Sequence, residues 1–181
     1  SHTVLYGALN AGGTGMGEAD TSYTLVFGEL WFQVPQTVRI TLNGSLPDYP
    51  SAKDVILYLA GRYGDDFAQY KAIEYAGETA RDLSIDGRMC LTDHVVEVGG
   101  KFGFFSCDQK TVDYVKSKTP LPFEPLEADG DATYETEIAA DVGQIGPQVA
   151  TPHRFRNVVP VGEAAGAKID QAVIGACSNG R

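Results

Sequence analysis

The sequence predicts an α/β fold, a layered sheet with helices packed on it. Between residues 36 and 118, short segments with strand character alternate with segments of helical periodicity, and this alternation is typical of helices that cover a sheet. The chain has 181 residues, 43% of them hydrophobic and 21% charged, which is ordinary for a globular protein with a substantial core. We therefore expect one layered domain with shorter segments on either side of it.

The predicted strands are short runs rich in β-branched and aromatic residues: 30–32, 38–42, 72–76, 102–105 and 133–138. Apolar and polar residues alternate in the second run, as they do in a strand with one solvated face. Pro35 separates the first two runs, and Gly77 closes the third.

The predicted helices begin at residues that cap well: 18–27, a helix from Ser51 through Ala60, a long helix over about 84–98 and a short helix from Asp108 through Val115. Ser51 and Asp54 have the spacing of a capping box. In the long helix, Leu91, Val95 and Val98 form the apolar face. Asp93 and Glu97 are four residues apart, so we expect them to share another face, about one turn apart.

Two stretches are predicted to be irregular. Three prolines between residues 120 and 125 precede Glu127, Asp129 and Asp131, which indicates a stiff acidic connector, and residues 141–167 are predicted to be mainly loop. The glycines of residues 12–17 lack the spacing of a dinucleotide fingerprint, so we expect them to allow close backbone packing beside a site.

Charge and cysteine content restrict the partners and the compartment. The formal net charge of -10 argues against nucleic-acid binding, and no apolar run is long enough to cross a membrane. Cys90, Cys107 and Cys177 form no Cys-x-x-Cys pair, and a sparse, odd number of cysteines is typical of a reducing compartment. We expect Cys90 and Cys107 to be buried reduced thiols, and His94 and His153 to lie at the surface or the edge of the core.

The sequence resembles the aconitase superfamily along essentially its whole length. The resemblance is carried by the segments Ser1-His2-Thr3, Tyr6-Gly7-Ala8-Leu9, Thr14-Gly15-Met16-Gly17, Ala52-Lys53-Asp54-Val55-Ile56-Leu57, Ile73-Glu74-Tyr75-Ala76-Gly77 and Gly175-Ala176-Cys177-Ser178-Asn179. The Tyr-Ala-Gly segment is closest to the branch that contains the large subunits of 3-isopropylmalate dehydratase and homoaconitase. The resemblance implies an internal piece of a longer enzyme: the end of a preceding domain (1–35), a central α/β domain similar to the family's second domain (36–147), and the start of a following domain (148–181).

The same resemblance implies the roles of the candidate site residues. His2 and Glu97 correspond to a catalytic histidine and glutamate that manage the proton of a leaving hydroxyl, and Cys177 corresponds to the first thiolate ligand of a [4Fe-4S] cluster. Ser1 and Asp93 fall at substrate-binding positions, although the family has Asn where this chain has Asp93. Because one thiolate cannot hold a four-iron cluster, we expect the chain alone to lack the cluster and the activity.

The function implied is that of an iron–sulfur hydro-lyase, which isomerises a 2-hydroxy di- or tricarboxylate by dehydration and rehydration, as in leucine biosynthesis. We expect a small carboxylate substrate, a separate small subunit as partner, and a location in the cytoplasm or in an organelle matrix. The alternative is a non-catalytic aconitase-like domain that serves as an interaction or regulatory module. Asp93 favours that alternative.

Overall fold

A four-stranded parallel sheet forms the centre of the computed structural model, which describes residues 2–46 and 51–175. The strand order is β3-β2-β1-β4, and every neighbouring pair is parallel. The strands are β1 (Thr37–Asn43), β2 (Ala72–Ala76), β3 (Phe102–Phe105) and β4 (Thr136–Asp141). The predicted α/β class is confirmed, since helices connect and cover these strands.

Four of the five α-helices in the described residues connect the strands, and one precedes the first strand. They are α1 (Glu18–Phe27), α2 (Ala52–Tyr63), α3 (Glu78–Asp82), α4 (Ile85–Asp93) and α5 (Gln109–Lys118). Val38, Ile40 and Leu42 of β1 are fully buried, and they share one core with Leu59 of α2 and Leu91 of α4. Their removal from water supplies the main force that holds α2 and α4 on the sheet.

Side chains cap three helices, and the caps at Ser51 and Asp108 were predicted. Ser51 and Asp54 form the capping box of α2, the Ser84 hydroxyl accepts from the Gly87 amide at 3.1 Å, and the Asp108 carboxylate accepts from the Thr111 amide at 3.1 Å. Each cap satisfies backbone N–H groups that the first helical turn leaves without a carbonyl partner.

The long helix predicted from Ser84 to Val98 is divided. Its α-helical part, α4, ends at Asp93, and a 3-10 helix (His94–Val98) continues to Gly99, whose φ of 81° is left-handed. β-Branched residues at 95 and 96 lose rotamer freedom in an α-helix, and the last turn of a helix often tightens to 3-10 geometry. The tighter winding separates Glu97, which is exposed, from Asp93, which is buried, whereas Val95 and Val98 keep their predicted buried positions.

An N-terminal 3-10 helix (His2–Leu9) packs against α4 and β3. Gly7 lies so close to the backbone of Gly103 that a Cβ atom would overlap the carbonyl oxygen of Gly103. Gly13 likewise faces the carbonyl of Thr3, in agreement with the close packing predicted for the glycine-rich segment. These contacts hold the first residues of the chain on the central sheet.

Two predictions about the outer segments need correction. Residues 30–32 do not form a strand, because no neighbouring strand pairs with their backbone; Trp31 is 83% exposed, and the Phe32 ring instead packs edge-on against Phe102. The stretch predicted to be mainly loop contains a small antiparallel pair, β5 (Gln148–Ala150) and β6 (Val158–Pro160), which packs against α2. In the ranges that the structure describes, no helix has the length and apolarity needed to cross a bilayer.

Candidate functional site

Asp93 is a buried carboxylate at the last residue of α4. Only 3% of the residue is exposed, and its Oδ1 atom has no hydrogen-bond partner in the described part of the chain. A buried carboxylate without partners costs free energy, so stable folds seldom keep one for packing alone. The position predicted from the resemblance therefore carries a charge that the fold itself does not satisfy.

Glu97 lies in the 3-10 helix that follows α4, and it is exposed. The prediction that Asp93 and Glu97 share one face is wrong, because the change from α-helical to 3-10 winding after Asp93 separates the two side chains. Leu91, Val95 and Val98 are fully buried, so the apolar face was predicted correctly.

The N-terminal 3-10 helix packs against both of these segments. It contacts α4 and the 3-10 helix that carries Glu97, and the Thr92 hydroxyl donates to the carbonyl oxygen of Leu5 at 3.1 Å across 87 positions of sequence. His2 is the first residue of this helix. The side chain of His2, and Ser1 as a whole, lie outside the described residues.

Cys177 also lies outside the described residues, so its predicted role as a cluster ligand stays a prediction. Burial raises the pKa of the Cys90 thiol to about 11, and burial, with the carboxylates of Asp108 and Glu127, raises the pKa of the half-buried Cys107. Iron–sulfur clusters bind thiolates. Burial therefore disfavours the thiolate form of both side chains, which is the form that binds iron.

In the part of the chain that the structure describes, no group of three His, Cys, Asp or Glu side chains could hold a metal ion. These residues therefore do not fit a [4Fe-4S] cluster by themselves. The orphaned oxygen of Asp93 is the feature that is open to interaction with a group from outside.

The two remaining histidines differ in their surroundings. His94 is buried at the edge of the core, where its Nδ1 donates to the carbonyl oxygen of Cys90 at 2.7 Å and its ring stacks on Phe155. His153 is exposed. The prediction of a surface or core-edge position holds for both.

Sequence reasoning missed the buried cation at the other end of α4. Arg88 is 1% exposed, and its two terminal nitrogens bind Asp108, with one Nη1–Oδ1 distance of 3.0 Å. Those nitrogens also donate to the Thr111 hydroxyl at 3.2 Å and to the Arg81 carbonyl at 2.9 Å. The hydrogen bond from Arg88 is the main cause of the lowered pKa of Asp108. The available signal was the position of Arg88 three residues before Leu91, on the apolar face of the helix.

A second polar cluster lies on the outer face of the sheet. The Tyr134 hydroxyl donates to both carboxylate oxygens of Glu74, at 2.9 and 3.0 Å, and the guanidinium of Arg39 lies 5.0 Å from the centre of the Tyr134 ring. Desolvation first, and then the bond to Glu74, raise the pKa of Tyr134. The Nε atom of Arg39 is 3.8 Å from Glu74, which is too long for a hydrogen bond.

Comparison with known proteins agrees with this architecture. A sequence model of the aconitase family (aconitate hydratase) matches residues 1–173. The 3-isopropylmalate dehydratase large subunit 1 of Methanopyrus kandleri is 48% identical over all 181 residues, which cover 43% of that protein. The probable methanogen homoaconitase large subunit of Methanosarcina mazei is 45% identical over the whole chain, 46% of its own length. The 3-isopropylmalate dehydratase large subunit of Halothermothrix orenii is also 45% identical, over 43% of its length.

The chain thus spans less than half the length of these curated relatives. The family match covers nearly all of it, from the N-terminal 3-10 helix through the parallel sheet and beyond. This chain belongs to the aconitase family.

Proposed function

We propose that this chain is part of an iron–sulfur hydro-lyase similar to 3-isopropylmalate dehydratase. Such an enzyme isomerises a 2-hydroxy di- or tricarboxylate by removing water and adding it back. The observation that carries the proposal is the packing of the N-terminal 3-10 helix, which starts at His2, against the two helical segments that contain Asp93 and Glu97. Two segments almost ninety residues apart, which carry positions that the family resemblance implies for the site, thereby pack against each other, and this packing supports the proposal.

In this proposal, His2 and Glu97 act together in the transfer of one proton to the leaving hydroxyl. The imidazolium of His2 donates it to the oxygen of the leaving hydroxyl, and the carboxylate of Glu97 stabilises the charged imidazole before the transfer. The exposed position of Glu97 supports this role, because an exposed carboxylate remains accessible to a neighbouring side chain.

In this proposal, Asp93 binds and orients the substrate. Its unpartnered Oδ1 accepts a hydrogen bond from a hydroxyl of the substrate or from a group outside the described residues. A carboxylate there is a stronger acceptor than the amide of the family pattern, and it has no donor, so it selects a partner that donates.

Cys177 would supply one cluster ligand, and segments outside this chain would supply the others. When bound, a [4Fe-4S] cluster with one open iron supplies a Lewis acid for the hydroxyl of the substrate. We also propose the domain division that the family resemblance implies: the end of one domain (1–35), a central domain (36–147) and the start of the next (148–181). The proposal also includes a separate small subunit as partner, which the name "large subunit" of the relatives suggests. It includes a location in the cytoplasm or an organelle matrix.

A chimeric enzyme tests the proposal directly. The matching segment of the Methanopyrus kandleri large subunit is replaced by these 181 residues, the chimera is combined with the small subunit of that organism, and dehydration of 3-isopropylmalate is followed by the ultraviolet absorbance of the unsaturated product. We expect turnover above background. We expect His2→Ala to lower kcat by about 10² to 10⁴, and Glu97→Gln to lower it by at least about tenfold, because each removes part of the proton relay.

The matched control is Glu163→Gln, which removes the same charge from an exposed position in another part of the chain, and we expect it to leave kcat unchanged. Equal losses in Glu97→Gln and Glu163→Gln would contradict the proton relay. A chimera that assembles and binds its cluster, yet turns over none of the family's hydroxy acids, would contradict the hydro-lyase assignment.

The second candidate function is a non-catalytic aconitase-like module that serves interaction or regulation. Asp93 favours it, because a carboxylate replaces the amide of the family pattern at the buried end of α4. If this candidate is correct, the chimera is inactive and Asp93→Asn restores turnover. If the hydro-lyase proposal is correct, the chimera is active with Asp93 in place.

The chain by itself provides a separate test of the cluster ligands. Anaerobic incubation with iron and sulfide is expected to produce no visible charge-transfer absorbance, since a stable cluster of this type needs three thiolates and the pKa values of Cys90 and Cys107 are raised. A stable cluster formed on the isolated chain would overturn the assignment of the other ligands to segments outside it.

A further inference from the structure

A pocket of about 330 Å³ lies at the carboxyl edge of the sheet, where β2 and β3 end. Its charged and thiol-bearing lining residues are three arginines, three carboxylates and one cysteine: Arg39, Arg81, Arg88, Glu74, Asp108, Glu127 and Cys107. This volume is at the lower end of the range for small-molecule sites. The pocket is distinct from the proposed catalytic site, because neither Asp93 nor Glu97 is among its lining residues.

Two buried donors of residues that line this pocket have no hydrogen-bond partner in the described ranges of the chain. They are the Nε atoms of Arg39 and Arg88, and the only other buried side-chain atom without a partner in the described residues is Oδ1 of Asp93. An unpaired buried N–H group costs about 1–3 kcal/mol of stability, so two at one cavity indicate a missing acceptor. The guanidinium of Arg81 adds an exposed cation, which forms no hydrogen bond or ion pair within the described part of the chain.

The carboxylates of the pocket do not supply that acceptor. Asp108 is occupied by Arg88 and by the N-terminus of α5, and both oxygens of Glu74 accept from Tyr134. Glu127 is exposed, with no partner for its carboxylate among the described residues. The pocket therefore combines three guanidinium groups with three carboxylates, and two of the guanidinium Nε–H donors have no partner among the described residues.

The remaining lining restricts the ligand further. Tyr75, Ala80 and Phe105 form an apolar part of the wall, which suits a short hydrocarbon body. The charge of Glu127 disfavours a ligand with a second carboxylate, because like charges repel strongly where water is partly excluded. We propose that this pocket is a second binding site, which takes a small monocarboxylate anion with a short apolar chain.

The site differs in ligand class from the proposed catalytic site, whose substrate carries two or three carboxylates. It does not depend on the proposed function, and its test requires no cluster and no turnover. A monocarboxylate bound here would contact the first half of α4, the helix whose end carries Asp93.

The half-buried thiol of Cys107 makes the pocket measurable, because it lines the cavity. Iodoacetate is itself a small monocarboxylate, and iodoacetamide is its neutral counterpart. In both reactions the thiolate displaces iodide from the CH2 carbon, so the ratio of the two rates reports on the carboxylate alone. The rates at Cys107 are measured on the 181-residue chain by peptide mass spectrometry, with glutathione as the reference thiol.

We expect the iodoacetate-to-iodoacetamide ratio at Cys107 to exceed that of glutathione by about fivefold, through the charge-assisted hydrogen bonds of the arginines. Isobutyrate is expected to protect Cys107 from both reagents, whereas succinate and inorganic phosphate are expected to protect it less. Arg81→Gln should lower the ratio about fivefold and Glu127→Gln should raise it. Arg154→Gln, at an exposed arginine outside the pocket, should leave the ratio unchanged.

A ratio equal to that of glutathione would overturn the proposal, and so would equal effects of Arg81→Gln and Arg154→Gln. Protection by phosphate or succinate as strong as that by isobutyrate would overturn the monocarboxylate class. Because Arg81 and Glu127 are both exposed, their variants are expected to fold. The two variants have opposite expected effects on the ratio, so either variant alone can test the proposal if the other one does not fold.

Discussion

The two ends of α4 each bury a charged side chain, and the two charges are treated in opposite ways. Arg88, in the first half, is 1% exposed and binds Asp108, Thr111 and the Arg81 carbonyl through its terminal nitrogens. Asp93, at the last residue, is 3% exposed, and its Oδ1 has no partner among the residues that the structure describes.

This difference means that the charge of Arg88 contributes to the stability of the fold, whereas the carboxylate of Asp93 does not. A buried ion pair with additional hydrogen bonds recovers much of its desolvation cost, whereas a buried carboxylate without partners recovers little. Removing Arg88 should therefore weaken the fold, and neutralising Asp93 should not. Four predictions test the comparison, from the largest expected effect to the smallest.

Arg88→Met should lower the free energy of unfolding by about 3–5 kcal/mol, because it leaves Asp108 without its cation and removes the other hydrogen bonds of the guanidinium. Urea unfolding followed by circular dichroism measures the change. Arg154→Met, at an exposed arginine, should change the free energy by less than about 0.5 kcal/mol. A loss below about 1 kcal/mol in Arg88→Met would mean that the pair contributes little net stability.

The stability of the chain should fall as the solution is acidified, and Asp108 should account for part of the loss. Arg88 lowers the pKa of Asp108 below its ordinary value of 3.8, so the folded chain holds this carboxylate ionised more firmly than the unfolded chain does. That contribution is fully present above the unfolded pKa and is lost as the pH falls through the lower folded pKa. Urea midpoints should therefore depend less on pH between about pH 5 and pH 2 in Asp108→Asn than in the parent chain. Identical pH profiles would contradict the assignment.

Asp93→Asn should raise the free energy of unfolding of this chain at pH 7 by about 1 kcal/mol, because it removes a buried charge that has an unpartnered oxygen. The matched control is Asp86→Asn in the first turn of the same helix, where the exposed carboxylate interacts favourably with the helix dipole. That variant should lose about 0.3–0.5 kcal/mol. Opposite signs in the two variants support the comparison, and a clear loss in Asp93→Asn would show that the carboxylate has a stabilising partner.

Ser84→Ala should lower the free energy of unfolding by about 0.5–1 kcal/mol, because the hydroxyl accepts from the Gly87 amide at the start of α4. Ser84→Asp keeps an acceptor at the cap and should restore most of that loss. The same urea measurement applies. If alanine and aspartate have the same effect, the cap does not stabilise this end of the helix.

Much of the fold was predictable because its signals are local. The caps at Ser51, Ser84 and Asp108, and the strands at 72–76 and 102–105, are encoded by residues a few positions apart, and the structure contains them where the pattern indicates. The run at 30–32 has the same composition as a strand, yet it finds no pairing neighbour. Strand formation depends on that neighbour, and composition does not report it.

The candidate site was predictable only in part. The segments of the family resemblance pointed to Asp93 and Glu97, but helical periodicity placed the two on one face, and the 3-10 turn after Asp93 separates them. The pocket at the carboxyl edge had no local signal, because its lining comes from strands and helices that are far apart in the sequence.

The sequence by itself determined the α/β class, the helix starts, most of the strands and the family, since these depend on short-range periodicity and on ordered segments that can be recognised directly. Only the tertiary structure decided which charges are buried and which of them are paired. Arg88 meets Asp108 across 20 positions, and Thr92 meets Leu5 across 87. The cost of burying a charge depends on the partners that packing brings to it, and those partners lie beyond the range of any local pattern.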